Sequence, residues 1–515
     1  MKMTGKPIGI DAGGKRIVVL NESDARELGV RSLDRVRLVA GKYALTAIVN
    51  TTSKLLQEGE LGVYQEVQEQ LHLFENQMVE ATAAGSPPSL LHIKTKLRGQ
   101  DLRMNELREI VTDVVDGRLS ETEIASFVVG LHSFGMSPEE AYGLSVAMVE
   151  TGKQLQIEAP QIADKHSIGG VPGDKTTLLV VPIVAACGLT IPKTSSRAIT
   201  SAAGTADRAE ILMPVEFGAD EIRRIVDRTK GCIIWGGSLD LAPADDIFIQ
   251  VEHPLSIDPL LLPSILSKKK AVNANIVVID IPCGRGAKVK TIGEARMLAR
   301  DFLRLGSRLE MKLQCAITYG EQPVGHCVGP ALEAREALEA IMRRKSIPDL
   351  VDKATDIAGM ILEMSGISQD GRALAMETLT SGRAERKLRD IILEQGGNGS
   401  ITPEDIPVGV HQFDILSDST GYVFWVNNSA LVQLARLAGS PKDKGAGVVI
   451  HKKMGDSVTK GERLYTVYAD KGSKLSEVEL IARDAKVFGV SHRMEMTIEE
   501  IKEIPEIEKA FILER

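Results

Sequence analysis

The sequence has little of what marks membrane, disulfide-rich or zinc-binding proteins. Aromatic residues make up only 4% of its 515 residues, and its five cysteines lie far apart with no Cys-x-x-Cys pair. This pattern predicts free thiols in a reducing cytoplasm. The longest apolar run, residues 178–189, contains Pro182 and is shorter than the roughly 20 residues of a membrane span. The first residues lack the apolar core of a signal peptide, so we expect a cytoplasmic protein without a membrane anchor.

The charge balance is mildly acidic. Lys and Arg total 62 and Asp and Glu total 70, which gives a formal net charge of −8. A hydrophobic fraction of 43% excludes a chain that is disordered as a whole, and the length allows roughly two to four domains. The acidity argues against binding to nucleic acid or to an anionic membrane. It also makes a locally basic, hydroxyl-rich segment a candidate site for a small anion.

Residues 1–84 are predicted to form a small β-rich domain. Ser23 or Asp24 is the expected N-cap of a short helix between its first two strands. The domain resembles the double-psi barrels of archaeal ATPases and has no catalytic motif, so we expect it to serve assembly. Its predicted strands span residues 16–20, 36–39 and 43–49.

Residues 89–160 are predicted to form a helical domain after a linker rich in glycine and proline. Helix starts at Ser120 and Ser137 have the Ser-x-x-Glu form of a capping box, and the second has proline at its first helical position. The segment from about 245 to 272 is expected to join this domain. Such a bundle needs a second layer on which to pack.

The rest of the chain has an α/β character. Residues 161–410 alternate between β-rich runs and longer helical patterns, which predicts a central, discontinuous α/β domain with a mixed or parallel sheet. In such domains ligands bind at the carboxyl ends of the strands. Residues 411–515 are β-rich with glycine turns and are expected to form an α+β hammerhead module. The predicted fold class is therefore a multidomain α/β protein.

The segment Asp164–Thr177 concentrates groups that bind anions. Its sequence, DKHSIGGVPGDKTT, combines lysines and a serine with three glycines that let the backbone approach a ligand closely. Two threonines stand where a helix is expected to begin, so that free N–H groups and the helix dipole favour an anion. We interpret the segment as a phosphate cradle. The alternative is an ordinary glycine-rich turn between strand and helix.

A second polar segment, residues 191–207, has the sequence IPKTSSRAITSAAGTAD. Six hydroxyl side chains accompany Lys193 and Arg197, and a short strand ending at Lys193 would place them in the loop that follows. Hydroxyls and amides beside basic residues suit an oxyanion better than a neutral ligand. The alternative is that these hydroxyls serve only as caps and turns.

Together the two segments resemble the thymidine/pyrimidine nucleoside phosphorylase family. The resemblance is carried by Lys165-His-Ser-x-Gly-Gly-Val, and by Ser196-Arg followed by Gly204-Thr-Ala-Asp207. With DIPVGVH at residues 405–411, the longer forms of both segments are similar to the archaeal-type AMP phosphorylase branch, over essentially the whole chain. The resemblance implies a helical and an α/β domain that face each other across a cleft. It also implies a homodimer, or a higher homo-oligomer built through the N-terminal domain.

The resemblance also implies the residues of the site. Asp258 aligns with the proposed proton donor, although an aspartate before Pro259 is also a common helix start. His166 orients phosphate or sugar, or else is a structural imidazole. Phosphate is expected to contact Lys165, Ser167, Thr177, Ser195 and Thr205. The nucleotide is expected to contact Gly170, Ser196, Arg197, Ala198, Ile199, Thr200, Ser201, Thr205, Ser264 and Lys288, with Lys268 as a second candidate on the base side.

One departure from the family concerns the base. Thymidine phosphorylases carry an Arg-Asp pair after an Ala-Pro-Ala-Asp segment, and its arginine reads the pyrimidine. Here the positions after Asp245 read Glu252-His253, and no arginine lies between Asp245 and Asp258. Recognition of thymine in the usual manner is therefore not expected.

The implied reaction is phosphorolysis of a nucleoside 5′-monophosphate, in which AMP and phosphate give adenine and ribose 1,5-bisphosphate, with CMP and UMP as further substrates. It needs a positioned phosphate and a hydrogen bond or proton for the departing base, and we expect neither a metal nor an organic cofactor. Arg197, Lys268 and Lys288 are available for the 5′-phosphate, unless Lys288 lies in a solvated surface loop. Two alternatives stay open: a thymidine or general nucleoside phosphorylase, and a nucleotide-binding regulator without turnover.

Overall fold

The N-terminal part of the chain is a closed barrel. The computed structural model describes residues 1–199 and 201–492. The first elements are β1 (Lys2–Pro7), β2 (Ile17–Asn21), α1 (Glu22–Leu28), β3 (Arg35–Ala40), β4 (Tyr43–Thr52), β5 (Glu60–Val63), α2 (Gln65–Leu71) and β6 (Met78–Ala84). The six strands close in the order β1-β5-β2-β4-β3-β6 around an apolar core. All three predicted strands are confirmed.

The N-cap of α1 differs from the prediction. Asn21 caps the helix by accepting a hydrogen bond from the Ser23 backbone N–H, and Gly29 ends it in the left-handed conformation. The expectation that Ser23 or Asp24 is the cap was wrong. The strand β2 runs directly into the helix, so its last residue is already at the cap position.

Four helices follow the barrel: α3 (Ser89–Lys96), α4 (Met104–Val115), α5 (Glu121–Phe134) and α6 (Pro138–Thr151). Both predicted capping boxes are confirmed, at Ser120 with Glu123 and at Ser137 with Glu140. Glu123 also forms an ion pair with Arg35 of β3, and both side chains are largely buried. The barrel is therefore docked on the first turn of α5.

The next elements build the middle of the chain. They are β7 (Ala163–Ser167), α7 (Thr177–Ala186), β8 (Ile191–Ser195), α8 (Thr205–Ala209), α9 (Ala219–Thr229), β9 (Gly231–Trp235), α10 (Pro243–Leu255) and α11 (Leu261–Ala271). The helix predicted at Thr176 or Thr177 is confirmed, with Thr176 as its N-cap. Strand β8 ends at Ser195 and not at Lys193, because its parallel pairing with β9 continues to Trp235.

A parallel sheet lies at the centre of the α/β domain. Its remaining elements are β10 (Ile276–Cys283), α12 (Ile292–Arg308), β11 (Lys312–Tyr319), β12 (Cys327–Val328), α13 (Pro330–Ile341), α14 (Pro348–Met364), α15 (Gly371–Thr380) and α16 (Arg383–Glu394). Strands β11, β10 and β7 pair in parallel, and a parallel bridge between Ile162 and Thr190 brings β8 and β9 beside them. Helices α7, α13, α14, α15 and α16 pack in one apolar core, and α9, α11 and α12 in another.

Helix α10 leaves the α/β domain to join the helical layer, and α11 packs between α6 and the second apolar core. Phe248 of α10 packs against Phe127 of α5, with ring centroids 5.9 Å apart. The chain thus crosses between the layers around residues 152–162, 236–242 and 272–275. Backbone hydrogen bonds tie these crossings together, from Lys153 to Asp240 (2.9 Å) and from Leu155 to Ala271 (2.8 Å).

The last elements are β13 (His411–Leu416), β14 (Gly421–Val426), α17 (Asn428–Ala438), β15 (Gly447–Ile450), β16 (Ser457–Val458), β17 (Arg463–Ala469), α18 (Gly472–Asp484) and β18 (Phe488–Ser491). Strand β12 of the α/β region pairs with β15, so the C-terminal module is joined to the central domain by a sheet. The predicted multidomain α/β fold with a helical bundle is thereby confirmed. Among residues 1–199 and 201–492, no helix is both long and apolar enough to span a membrane.

Candidate active site

The glycine-rich segment forms a loop between β7 and α7. Gly169 and Gly170 have φ angles of 82° and 90°, in the region that favours glycine. A Cβ atom at Gly170 would lie 2.6 Å from the backbone nitrogen of Lys288. The phosphate-cradle loop, residues 168–176, therefore touches the loop that follows β10.

Lys165, in the middle of β7, contacts this loop. It is buried, and its Nζ donates to the Thr176 hydroxyl at 2.8 Å. Burial lowers the pKa of Lys165, while Asp174 and Asp280 nearby oppose that shift. Ser167, from the same strand, and Thr177, the first residue of α7, lie beside the loop.

His166 is surrounded by lysines. Burial lowers its pKa well below the ordinary value, and the ammonium groups of Lys269, Lys193, Lys165 and Lys268 lower it further. The imidazole is therefore neutral at pH 7, so it can hydrogen-bond an anion but adds no charge. The lysines supply the positive potential of this part of the cleft.

Two of those lysines share a buried aspartate. Asp164 has no exposed surface and lies 2.7 Å from Lys269 Nζ and 3.4 Å from Lys193 Nζ. Burial lowers the pKa of Lys193 to about 7, with Asp164 opposing the shift. Through Asp164 the two lysines connect α11 with strands β7 and β8.

The second polar loop, residues 196–204, is pinned at both ends by Asp207. One carboxylate oxygen of Asp207 accepts hydrogen bonds from the backbone N–H groups of Ala198 (2.7 Å) and Gly204 (2.8 Å). Thr205 follows as the first residue of α8. The Ser195 hydroxyl donates to the Ile234 carbonyl at 2.7 Å, which fixes its oxygen at the edge of the sheet.

The C-terminal module supports the same loop. Arg436 of α17 donates to the carbonyls of Ile199 (2.9 Å) and Ser201 (3.1 Å). Ser196 and Ile199 are exposed toward solvent. Thr200, another predicted nucleotide contact, lies outside the described residues.

Two of the three cations predicted for a second anion site are held by carboxylates. Arg197 contacts Glu210 at 2.7 Å, Glu216 at 2.8 Å and Asp207 at 3.4 Å, and its guanidinium lies over Trp235. Lys268, one turn after Ser264 on α11, contacts the fully buried Asp245 at 2.5 Å. Their charges are thus already balanced in this structure.

Lys288 is the most available of the three. Its side chain is half exposed, and its ammonium lies 3.1 Å from the Asp258 carboxylate, which is also exposed. Asp258 lies between α10 and α11, whereas Lys288 follows β10. The structure therefore brings Gly170, Lys288 and Asp258 together, although they are far apart in sequence.

Glu252 lies beneath Asp258. Its backbone carbonyl accepts a hydrogen bond from Ile257 at 3.2 Å, and its side chain accepts one from Leu260 at 3.1 Å. Only 4% of Glu252 is exposed, and burial together with the Asp258 charge raises its pKa to about 7. Glu252 thus fixes the turn around Asp258 by hydrogen bonds to one residue before Asp258 and to another after it.

Three further charged residues form a cluster at the back of the cradle loop, and sequence reasoning missed their role. They are Asp174 of the loop, Asp280 of β10 and Lys353 of α14. Lys353 falls on the apolar stripe of its helix, three residues after Leu350 and four before Ile357. A lysine at such a position is the signal that could have found it, because a buried lysine needs partners.

The described residues hold no group of three or more His, Cys, Asp and Glu side chains placed for a metal ion. The site is built instead from backbone amides, hydroxyls and ammonium groups. Such an arrangement suits an oxyanion such as phosphate.

Family profiles match along most of the chain. The helical bundle domain of a glycosyl transferase family matches residues 92–152, and the a/b domain of the same family matches residues 159–385. The C-terminal domain of pyrimidine nucleoside phosphorylases matches residues 422–486. The fold and the site therefore define a glycosyl transferase of the nucleoside phosphorylase type.

Curated relatives narrow the assignment. The chain is 49% identical over 500 residues to the AMP phosphorylase of Thermofilum pendens, with 97% of each chain covered. It is 48% identical to that of Thermococcus kodakarensis, which covers 91% of this chain and 94% of the relative. AMP phosphorylase 1 of Archaeoglobus fulgidus is 46% identical, with 93% and 95% covered. The chain belongs to the AMP phosphorylase family.

Proposed function

We propose that the chain catalyses the phosphorolysis of nucleoside 5′-monophosphates, in which AMP and phosphate give adenine and ribose 1,5-bisphosphate. CMP and UMP are further candidate substrates, since the same C1–N bond would break in each. The reaction is a pentosyl transfer that serves nucleotide degradation and salvage. The observation that carries the proposal is the meeting of Gly170, Lys288 and Asp258.

The attacking phosphate lies between the two polar loops. Lys165 supplies charge, and the start of α7 supplies backbone N–H groups and the positive end of a helix dipole. A phosphate fixed there attacks C1 as the sugar becomes oxocarbenium-like, so its orientation lowers the barrier. The residues assigned to it are Lys165, Ser167, Thr177, Ser195 and Thr205.

The nucleotide lies along the second loop and the face of α11. Lys288 takes the 5′-phosphate, because Arg197 and Lys268 are already held by carboxylates whereas Lys288 has a single exposed partner. Arg197 and Lys268, through their ion pairs, then hold in place the segments around the sugar and the base. The residues assigned to the nucleotide are Gly170, Ser196 to Ser201, Thr205, Ser264 and Lys288.

Asp258 acts on the departing base. When Lys288 turns to the 5′-phosphate, it leaves the Asp258 carboxyl, which is then free to face the departing base. The C1–N bond breaks, phosphate oxygen bonds to C1, and the base leaves with the proton of Asp258. A nucleoside lacks the 5′-phosphate and cannot draw Lys288 away, so this arrangement favours nucleotides over nucleosides.

His166 orients the reactants. As a neutral imidazole it can donate one hydrogen bond to phosphate or to the sugar without adding charge. Glu252, at the position where thymidine phosphorylases have arginine, carries no positive charge for a pyrimidine carbonyl. These features favour a nucleotide phosphorylase over a thymidine phosphorylase.

The purified protein, incubated with phosphate and a panel of nucleoside monophosphates and nucleosides, tests the proposal. We expect release of adenine from AMP that depends on phosphate, with much slower release from adenosine. Equal rates for AMP and adenosine would favour a general nucleoside phosphorylase. No free base from any substrate would favour a nucleotide-binding regulator.

We also propose the finer organisation of the molecule. The barrel of residues 1–84 mediates assembly of a homodimer or a higher homo-oligomer, and residues 411–515 form a hammerhead module, of which 493–515 lie outside the described residues. Residues 89–160 with 245–272 form the helical domain, and 161–410 the remaining α/β domain. Free cysteines along the described chain are consistent with a cytoplasmic protein.

A further inference from the structure

We propose that Lys353, in α14 on the far side of the cradle loop, is a positioning residue for the attacking phosphate. It balances the charge of Asp174 and thereby holds Lys165 and the start of α7 in the geometry that phosphate needs. The inference rests on the proposed function, because it concerns the phosphate site of that reaction. Neither the sequence motifs nor the family resemblance assigns this lysine a role.

Lys353 lies between two carboxylates. Its Nζ is 2.7 Å from Asp280 Oδ2 and 3.1 Å from Asp174 Oδ2. Lys353 is 9% exposed and Asp280 is fully buried. Asp280 is fixed in turn by the Thr318 hydroxyl, which donates to its other oxygen at 2.5 Å.

Asp174 connects Lys353 with Thr176 at the end of the cradle loop. Its second oxygen accepts hydrogen bonds from the Thr176 hydroxyl (2.6 Å) and from the Thr176 backbone N–H (3.2 Å). The same hydroxyl accepts the hydrogen bond from Lys165 Nζ. A continuous chain of contacts thus runs from α14 to the lysine assigned to phosphate and to the N-cap of α7.

The charges of this cluster cancel. Lys165 and Lys353 oppose Asp174 and Asp280, and the nearby Arg208 is paired with Glu333 at 3.0 Å. Lys353 and Lys165 hold the pKa of Asp174 well below its usual range, so Asp174 is ionised at neutral pH. Without Lys353, two buried carboxylates would face one lysine, and a negative charge would stand beside the phosphate site.

A purely structural role for Lys353 makes a different prediction. If the lysine only joins α14 to β10, its loss lowers stability and affects phosphate and nucleotide alike. If it positions phosphate, its loss acts on phosphate selectively. Charge repulsion across a partly buried site is worth about one to two powers of ten in affinity.

The test uses Lys353→Met. We expect the KM for phosphate to rise about 10- to 100-fold, while the KM for AMP stays within about twofold. Lys353→Met combined with Asp280→Asn restores the charge balance, so the KM for phosphate should return toward the parent value. Lys96→Met is the matched control, because it removes an equally buried lysine from its ion pair with Glu140 in the helical domain. That control should leave both KM values unchanged.

Asp280→Asn alone keeps the test falsifiable if Lys353→Met does not fold. The asparagine keeps an oxygen that can accept the hydrogen bond from the Thr318 hydroxyl. Asp174 is then the one carboxylate paired with Lys353, and the cluster carries one negative charge fewer. The KM for phosphate should therefore fall or stay the same. A rise in both KM values by the same factor in Lys353→Met, or a double variant worse than both single ones, would overturn the inference. So would a higher phosphate KM in Asp280→Asn.

Calorimetric titration with inorganic phosphate alone separates this inference from the proposed function. A parent protein that binds phosphate but releases no base contradicts the proposed function only. Weaker phosphate binding in Lys353→Met then still supports the role of Lys353. Equal phosphate binding by the parent and by Lys353→Met contradicts the inference whatever the activity, and no phosphate binding by the parent contradicts both.

Discussion

Asp258 is the exposed residue on which the proposed chemistry depends most directly. Asp258→Asn keeps the size of the side chain and a hydrogen-bonding group but cannot deliver a proton. We expect kcat for AMP to fall about 10²- to 10⁴-fold, with phosphate binding by calorimetry unchanged. Asp220→Asn, at an exposed aspartate paired with Arg223, is the control and should change neither. An Asp258→Asn enzyme with normal turnover would exclude Asp258 as the proton donor.

Glu252 makes the stability of the folded state depend on pH. Its pKa rises from an ordinary 4.5 to about 7 on folding, mainly because it is buried. As the pH rises from about 4.5 to 7, the unfolded chain ionises this carboxyl while the folded chain must keep it neutral, so the folded state loses stability over that range. Glu252→Gln accepts the same bond from Leu260 without ionising. The melting temperature of the variant relative to the parent should therefore increase from pH 5 to pH 8.

The control for this comparison is Glu158→Gln, at an exposed glutamate. Its melting temperature relative to the parent should not vary over the same pH range. If the difference in melting temperature between Glu252→Gln and the parent is the same at every pH, the raised pKa of Glu252 is contradicted. The kcat of Glu252→Gln reports separately whether the turn around Asp258 is kept.

At this scale the sequence suggests candidate residues within motifs but not the partners that those residues contact. Lys165, Gly170 and Thr177 could be named because they lie within one short segment of characteristic composition. Lys353 could not, because it is nearly 180 residues away from Asp174 and a lysine in a helix is usually exposed. Only the folded backbone reveals which buried charges meet.

At the scale of elements, the cradle loop depends on close packing against the loop after β10. An alanine at Gly170 would place its Cβ 2.6 Å from the Lys288 nitrogen, whereas one at Gly169 would meet nothing within 4 Å. Both glycines have a left-handed φ, so each alanine variant should lose roughly 1–2 kcal/mol of stability. Gly170→Ala should in addition displace Lys288 and lower kcat/KM for AMP about 10²-fold.

Gly169→Ala is the matched control for that prediction. It shares the backbone strain of Gly170→Ala but not the contact with Lys288. Steady-state kinetics with AMP and thermal unfolding of both variants separate the two effects. Equal losses of kcat/KM in the two variants would mean that strain, and not the contact, accounts for the change.

Local signals predicted the helix starts, whereas tertiary pairing moved some ends. The capping boxes at Ser120 and Ser137 and the start of α7 need only three or four neighbouring residues, so they could be identified directly. The end of β8 depends on its pairing with β9, some 40 residues further on, and the prediction stopped two residues early. The N-cap predicted for α1 was wrong because β2 runs into the helix without a loop.

On the scale of the whole molecule, the barrel contacts the helical layer at the end of α4 and the start of α5. Arg35 contacts Glu123 and the Arg118 carbonyl, and Lys15 contacts Glu121 at 2.7 Å. A chain without residues 1–84 should keep most of its turnover per site but form a smaller assembly. Light scattering coupled to gel filtration measures the mass, and the AMP assay measures turnover. A truncated chain of unchanged subunit number that has lost turnover would contradict this role.

The net charge of −8 says little about the ligand, because the cations that matter are concentrated. Lys165, Lys193, Lys268 and Lys269 surround one imidazole in the cleft. Whole-chain composition averages over such clusters. It excluded polyanionic partners from the prediction, but it could not indicate the small anion that the cleft is proposed to bind.

The three crossings between the helical layer and the α/β domain have a mechanical consequence. Because Lys153 is hydrogen-bonded to Asp240 and Leu155 to Ala271, the crossings form one narrow strap and not three independent linkers. A displacement of the helical layer relative to the α/β domain would therefore have to move these hydrogen-bonded segments together.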